Sequence, residues 1–416
     1  MDQQKINNET PLGYQYSLEI TARTPMHIGC GESFSPLTDY IIEGRKIRFI
    51  DSTKFSQILY EKNLTEDFIA SVKKNMNLQK FNFLKDFIIN RLKVSIDDVC
   101  QELAYPVYLS GNPVEMHRFV STGGNVFIPG STIKGALRSA LLYKWMLNPA
   151  NAYALDEWVK NLRWIYPKNN EKLSYHQIEE KHTELEKCFA NLIEEKCFGV
   201  LNPKGINRDT AERLAMSCLK LGDSNNIALD EMAAYEICRF RLDEEKEDIR
   251  VLKECVDADN KCKAKLSIDF SSLFGGMKKY PKILQEFCTW EQICKTINAY
   301  SKDVLDYEIN VLSYEAFNND DLDKYQGHLT ALSEEIENST DVAYLRLGQG
   351  KMQFYQTIAL VLFKSRGEDE DNDDWIKYLN YCAGFPDDGL KEIYPITRSL
   401  ATIDQIPLGW VMIKLL

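Results

Sequence analysis

The residue types best suited to bind a ligand lie between Gly123 and Met146. A β-branched and aromatic run ends at Pro129, and Ser131 is a good N-cap for a following helix. The apolar residues of that helix recur at i, i+3, i+4, i+7 and i+8, which predicts one buried face. They are Ile133, Ala136, Leu137, Ala140 and Leu141.

A helix N-terminus has free N–H groups and the positive end of the helix dipole, so it attracts anions. Gly130 and Gly135 carry no side chain and would let a ligand backbone come close. Lys134 and Arg138 lie one turn apart beside them. We therefore predict a phosphate-binding site, with a plain strand–turn–helix joint as the alternative.

Two common nucleotide-binding motifs are excluded by this spacing. Gly130 is followed by Ser-Thr-Ile-Lys, which does not fit a Walker A loop. No Gly-x-Gly-x-x-Gly sequence opens the helix, so a dinucleotide-binding fingerprint is absent.

The composition favours a globular protein that works in the cytoplasm. The 416 residues allow two or three domains, and no apolar run is long enough to span a bilayer. The first eleven residues are polar, unlike a signal peptide. Eleven scattered cysteines include no Cys-x-x-Cys pair, which predicts reduced thiols, no zinc site and no cofactor.

The net charge of −12 at first argues against nucleic acid, but the charges are unevenly distributed. Two segments contain no acidic residue, Met116–Leu155 and Val342–Gly367. Each of them contains four arginine or lysine residues: Arg118, Lys134, Arg138 and Lys144 in the first, Arg346, Lys351, Lys364 and Arg366 in the second. This distribution favours two anion-binding surfaces.

A strand, a glycine turn and a helix occur in each acid-free segment. In the second, Ala343–Leu347 precedes Gly348-Gln349-Gly350, and Met352–Lys364 has an apolar-rich helical pattern. Two β-α-β-β-α-β units would explain the repeat, so we predict an α+β fold. Further patterns predict strands over 14–23, 216–221, 263–270 and 410–413, a hairpin over 40–50, and helices over 61–103, 151–198 and 281–338.

Several motifs together resemble the RAMP superfamily of CRISPR effector subunits. They are the loop His27-Ile28-Gly29-Cys30-Gly31, the segment Phe127–Arg138, Phe198-Gly199 followed by Leu221-Gly222-Asp223-Ser224, the late glycine turn, and the ending with Tyr394–Arg398 and Pro407–Val411. The length, the second glycine turn and this ending are most similar to the fifth subunit of type III-A (Csm) complexes.

The resemblance implies two ferredoxin-like RAMP domains with large helical insertions, which we assign to residues 1–224 and 225–416. It implies a non-catalytic subunit that caps the backbone filament, binds the 3′ part of the guide RNA (crRNA) and supports its maturation. The implied partners are crRNA, neighbouring Csm backbone and small subunits, and host nucleases that trim the crRNA. The implied RNA-binding residues are Gly29, Gly31, Gly130, Ser131, Lys134, Gly135, Arg138, Gly348, Gly350 and Lys351.

Two residues keep an enzymatic alternative open. His27 has an unperturbed pKa near neutrality and could act as a general acid or base in a RAMP endoribonuclease. Asp39 follows the first strand, where a related backbone subunit uses an aspartate for metal-dependent RNA cleavage. We expect neither to be catalytic here, because a lone carboxylate needs further ligands to hold a metal. A third hypothesis is a RAMP subunit of the other type III complex, Cmr.

Overall fold

A computed structural model of the chain shows two large β-sheets, one two-stranded hairpin and eight α-helices among its described residues. These residues are 14–78, 83–111, 115–157, 216, 218–242, 244–269, 286, 289–314, 319–350, 360–361 and 396–416, with isolated residues between 174 and 198. The mixed helix and sheet composition that the sequence predicts is confirmed.

The first sheet has five strands in the order β13-β16-β1-β12-β9. All neighbouring strands in this sheet are antiparallel. The strands are β1 (Tyr14–Ala22), β9 (Leu219–Leu221), β12 (Lys261–Ile268), β13 (Val342–Arg346) and β16 (Trp410–Leu415). Strand β1 lies between β12 and β16, so the first sheet joins residues from both sides of position 224. The domain boundary at that position stays a prediction.

The second sheet has nine strands in the order β2-β6-β11-β10-β5-β4-β3, with β14 on β10 and β15 on β14. The pairs β10–β5 and β11–β6 are parallel. The bounds are β2 (Gly29–Phe34), β3 (Tyr40–Glu43), β4 (Lys46–Ile50), β5 (Cys100–Tyr108), β6 (Met116–Phe119), β10 (Met232–Arg241), β11 (Lys246–Val256), β14 (Thr397–Ala401) and β15 (Ile406–Pro407). Strands β7 (Ser121–Thr122) and β8 (Asn125–Val126) form a separate hairpin.

Four helices connect β4 to β5 and pack around a hydrophobic cluster that includes Phe55, Phe87 and Ile88. They are α1 (Ser52–Glu61), α2 (Thr65–Leu78), α3 (Phe83–Asp86), which continues as a π-helical turn (Phe87–Leu92), and α4 (Ile96–Val99). Asp51 caps α1 through its carboxylate. The helical prediction over 61–103 is wrong for its last four residues, which begin β5.

The other helices are α5 (Gly130–Leu147), α6 (Glu195–Phe198), α7 (Trp290–Tyr314) and α8 (Asp320–Glu337). The apolar face of α5 is buried as the spacing predicts. Helix α7 runs beside β13, where Asn298 and Ser301 donate to the carbonyls of Val342 and Tyr344 at 2.8 and 2.7 Å. None of the helices in these ranges is long and apolar enough to cross a membrane.

Candidate nucleic-acid interface

The N-terminus of α5 is capped by a carboxylate from a distant loop. Gly130 N–H donates to Asp223 Oδ1 at 2.8 Å, and Ile128 N–H donates to the hydroxyl of Ser224 at 2.9 Å. The N-cap position is Pro129, whose side chain makes no capping hydrogen bond. The prediction that Ser131 caps this helix is therefore wrong. Ser131 is exposed within the first turn.

Gly130 lies directly against the backbone of the same loop. A Cβ added at this position would be 2.3 Å from the carbonyl oxygen of Leu221 and 2.8 Å from that of Gly222. The missing side chain at Gly130 thus makes room for the chain itself. Gly135 is different, because it is exposed and an added Cβ would have no neighbour within 4 Å.

Lys134 and Arg138 have different surroundings although they lie one turn apart. Arg138 forms an ion pair with Glu194, and its guanidinium lies 5.7 Å from the ring centroid of Phe198. Lys134 has no ion-pair partner in the described part of the chain, and burial lowers its pKa. Of the two, Lys134 is the cation available to an incoming phosphate.

The acid-free segments meet acidic residues from elsewhere in the chain. Arg118 pairs with Glu32, and Lys144 pairs with Glu286. Arg346 is fully buried, 3.4 Å from Glu308 on α7. The absence of acidic residues from these two segments therefore does not keep carboxylates away from their arginine and lysine side chains in the folded protein.

The two glycine loops predicted to bind RNA are brought together. Gln349 N–H donates to the carbonyl oxygen of His27 at 2.8 Å. Gly348 has φ +73°, and a Cβ there would be 2.1 Å from the same oxygen, so only glycine fits. A Cβ at Gly29 would lie 3.4 Å from Nε2 of Gln349, so Gly29 and Gly348 lie at one junction, and Gly31 and Gly350 follow them in the same two loops. Lys351 lies outside the described residues.

Lys253 on β11 is a cation at this junction that sequence reasoning missed. Its Nζ donates to Oε1 of Gln349, and burial lowers its pKa. Its partner Gln349 is exposed, and so is Gly29, which lies beside Gln349. No sequence pattern pointed to Lys253, because β11 itself was not predicted.

Comparison with known protein families identifies the family of this chain. The model of the RAMP superfamily matches residues 19–352 of the chain. The chain belongs to the RAMP superfamily. The matched range includes the glycine loop after β1, the whole of α5 and the second glycine turn.

Two curated relatives of this RAMP chain bear the same name, CRISPR system Cms protein Csm5. The protein from Methanocaldococcus jannaschii is 22% identical over 444 residues, which cover 100% of this chain and 92% of that protein. The protein from Streptococcus thermophilus is 30% identical over 172 residues, which cover 38% of this chain and 44% of that protein. The predicted resemblance to the fifth Csm subunit is confirmed by these matches.

Two solved structures share the fold of this RAMP chain. One chain of a Csm–crRNA–target RNA ternary complex of a type III-A CRISPR-Cas system has a TM-score of 0.63 at 18% identity. That alignment covers 96% of this chain and all of the other. Csm5 from T. onnurineus has a TM-score of 0.64 at 17% identity, with 94% and 99% covered.

His27 of this RAMP chain is buried and held by the second sheet. Its side chain is 0% exposed, and Nδ1 lies 2.6 Å from the carbonyl oxygen of Glu254. Since a carbonyl only accepts, Nδ1 carries the proton and donates. Burial, together with the nearby charges of Lys253 and His117, lowers the pKa of His27 to about 4, although the hydrogen bond to the Glu254 carbonyl acts in the opposite direction. The imidazole is therefore neutral at pH 7 and not in contact with solvent.

The buried carboxylate of Glu254 lies on the interior side of the glycine junction. Its carboxylate accepts from the hydroxyl of Tyr105 at 2.7 Å and from the N–H of Phe119 at 2.8 Å. Burial raises its pKa, and these two hydrogen bonds partly oppose that shift. The carboxylate thereby fixes β5 and β6 beneath the glycine junction.

The carboxylate of Asp39 accepts two hydrogen bonds from residues of its own loop. Oδ2 accepts from the N–H of Ser35 at 2.7 Å, and Oδ1 accepts from the hydroxyl of Thr38 at 3.0 Å. Within the described ranges, His, Cys, Asp and Glu side chains nowhere group in threes as a metal site would require. Asp39 therefore has a structural explanation that needs no metal.

Proposed function

We propose that this RAMP chain is a non-catalytic, RNA-binding subunit of a type III-A Csm complex that works in the cytoplasm. It caps the backbone filament, holds the 3′ part of the crRNA and supports crRNA maturation. Its partners are the neighbouring Csm backbone and small subunits, together with host nucleases that trim the crRNA. Its fold is two ferredoxin-like RAMP domains with large helical insertions, divided near residue 224.

The observation that carries the proposal is the junction of the two glycine loops beside Lys253. Gly29 and Gly31 expose backbone where a sugar–phosphate chain can approach closely. Lys253 supplies a positive charge at the same place. This combination of exposed backbone and a cation suits phosphate binding without base recognition.

A second supporting observation is the position of Lys134 on the first turns of α5, where it has no ion-pair partner among the described residues. It lies beside the exposed Gly135, where a ligand backbone has room to approach. The enzymatic alternative is less well supported, because His27 is buried and both oxygens of Asp39 accept hydrogen bonds within their own loop. A Cmr-type subunit would instead copurify with Cmr neighbours, which mass spectrometry distinguishes.

The test is made on complexes purified through a tag on this subunit. Sequencing of the copurified RNA should recover crRNA. In complexes carrying Lys253→Ala, added ribonuclease should digest the 3′ part of the crRNA faster than in complexes carrying Lys62→Ala, a change at an exposed lysine on another part of the chain. Equal digestion in both would contradict the proposal, as would protection of the same 3′ nucleotides in complexes that lack this subunit and are purified through a tag on a backbone subunit.

A further inference from the structure

One face of the first sheet is rich in lysine. Along β12 the side chains alternate, so that Lys261, Lys263 and Lys265 are exposed while Cys262, Ala264 and Leu266 are buried. Lys220 on β9 and Lys414 on β16 extend the same face through the strand register. That register places Lys220 opposite Ser267, Ser17 opposite Lys265, and Glu19 opposite both Lys263 and Lys414. We call this set of five lysines the lysine face.

Few acids compensate these charges. Glu19 lies 3.2 Å from both Lys261 and Lys414, and Asp269 lies 3.7 Å from Lys220. Lys263 and Lys265 have no ion-pair partner in the described ranges. Five lysines against these two carboxylates leave a positive surface on a chain whose net charge is −12.

The lysine face adjoins the N-terminus of α5. Gly222 N–H donates to the carbonyl oxygen of Lys265 at 3.0 Å, and Asn225 N–H donates to that of Lys263 at 2.8 Å. Asp223, which caps α5 at Gly130, lies between these two residues in the chain. The loop that fixes the helix is thus hydrogen bonded to the lysine strand. The lysine face and the first turn of α5 therefore flank the same loop, which runs from Leu221 to Asn225.

We propose that the lysine face binds the sugar–phosphate backbone of single-stranded RNA, as an extension of the RNA site on α5 and the glycine junction. This inference rests on the proposed function and deepens it by naming a further contact surface. Alternate residues of a strand are about 6.7 Å apart, so the three lysines of β12 form a linear row of charges. Such a row suits an anion that repeats along a line.

An acidic protein partner is the less favoured occupant. Protein–protein interfaces are depleted in lysine and have an apolar centre. Among the described residues of β1, β9 and β12, the exposed members of this face are lysine, serine and glutamine, with no exposed aromatic ring. Without aromatic platforms for bases, the contact should be independent of RNA sequence.

The test compares two double variants of the full chain with the same loss of charge. Lys263→Ala with Lys265→Ala alters the lysine face, whereas Lys73→Ala with Lys74→Ala alters two exposed lysines on α2. Binding is measured by fluorescence anisotropy with labelled unstructured oligouridine and oligoadenine RNA over a range of salt. Loss of two phosphate contacts should flatten the slope of log K against log salt by about 1.4. It should also weaken binding on the order of tenfold at 0.1 M salt, equally for both RNAs.

The control variant should keep the wild-type slope and affinity, and thermal unfolding should show that both variants fold. Wild-type RNA binding by the Lys263/Lys265 variant would overturn the inference, and would point to a protein partner if neighbouring subunits were lost instead. If Lys134→Ala and Lys253→Ala still weaken binding in that case, the proposed function stands and only the lysine face is wrong. If the wild-type chain has no RNA affinity, both proposals fail.

Discussion

The carboxylate of Asp223 accepts a hydrogen bond at 2.8 Å from the N–H of Gly130, a residue 93 positions earlier in the chain. One of the free N–H groups at the start of α5 is therefore already occupied, and a negative charge lies at the positive end of the helix dipole. An RNA phosphate therefore has to bind beside the first turns of α5, where Lys134 lies, because Asp223 occupies the end of the helix axis.

Asp223→Ala should lower the free energy of unfolding by about 1 kcal/mol, because it removes the cap of α5. Denaturant titration measures this loss, and Asp223→Asn should recover most of it because the amide oxygen can still accept. The RNA affinity of both variants should rise, since a negative charge beside the proposed phosphate path is gone. Unchanged RNA affinity would place the phosphates elsewhere.

The two glycines of α5 should respond oppositely to alanine. Gly130→Ala should destabilise the protein by about 1–3 kcal/mol, because the new Cβ overlaps the backbone of Leu221 and Gly222. Gly135→Ala should stabilise it by about 0.5–1 kcal/mol, because alanine is the better helix former and has open space. Thermal unfolding compares the two.

Gly135→Ala also tests the binding site without a folding defect. If RNA backbone approaches α5 at this position, the variant should be more stable yet bind crRNA more weakly. Greater stability with wild-type RNA affinity would remove Gly135 from the interface.

We expect Lys134 to contribute to RNA binding and Arg138 to contribute to stability. Lys134→Ala should reduce the slope of log K against log salt for RNA by about 0.7 and leave unfolding unchanged. Arg138→Ala should cost about 1 kcal/mol of stability, because it removes the guanidinium that pairs with the largely buried Glu194. A stability loss in Lys134→Ala as large as in Arg138→Ala would contradict this division.

The sequence predicted those strands and helices whose residue pattern is local. Alternation predicted β1, the β3–β4 hairpin and β12, and helical spacing predicted the buried face of α5. The hairpin of β10 and β11 was not predicted. Seven successive residues of β10 are buried, including Glu236, so neither strict alternation nor an uninterrupted apolar run marks the strand.

The contacts that define the site depend on residues far apart in sequence. Ser131 was expected to cap α5 because a capping residue usually comes from the adjacent positions, but the cap arrives from Asp223. The acids Glu32, Glu194 and Glu286 reach the first acid-free segment only through the fold. The glycine loops were each recognised, whereas their meeting at His27 and Gln349 depends on the pairing of β1 with β16.

His27 should make stability depend on pH in a defined direction. Its pKa is about 4 in the folded protein against 6.5 in the unfolded chain, so the unfolded state binds more protons between these values. The stabilisation is fully present above pH 6.5 and is lost as the pH falls toward 4, by up to about 1.4 kcal/mol per pH unit.

The variant His27→Asn isolates this dependence, because the asparagine amide can still donate to the carbonyl of Glu254. Denaturant titration of both proteins at several pH values between 4 and 7 gives the difference in unfolding free energy. That difference should shrink as the pH falls, whatever Glu254 and His117 contribute to both. A difference that is constant with pH would show that His27 is not held in its neutral form.

Asp39→Ala should leave RNA cleavage by the assembled complex unchanged. Metal-assisted cleavage needs a carboxylate with free oxygens and further ligands, whereas both oxygens of Asp39 accept hydrogen bonds from Ser35 and Thr38. The loss of those bonds should instead lower the free energy of unfolding by about 1 kcal/mol. The measurement is a gel of target-RNA products from complexes with wild-type or Asp39→Ala subunits, each incubated with Mg²⁺. Asp39→Asn is the matched control, because it keeps the hydrogen bond from Ser35 but removes the charge that a metal would require. If one product disappears with both variants, Asp39 acts in catalysis and the endoribonuclease hypothesis replaces the structural one.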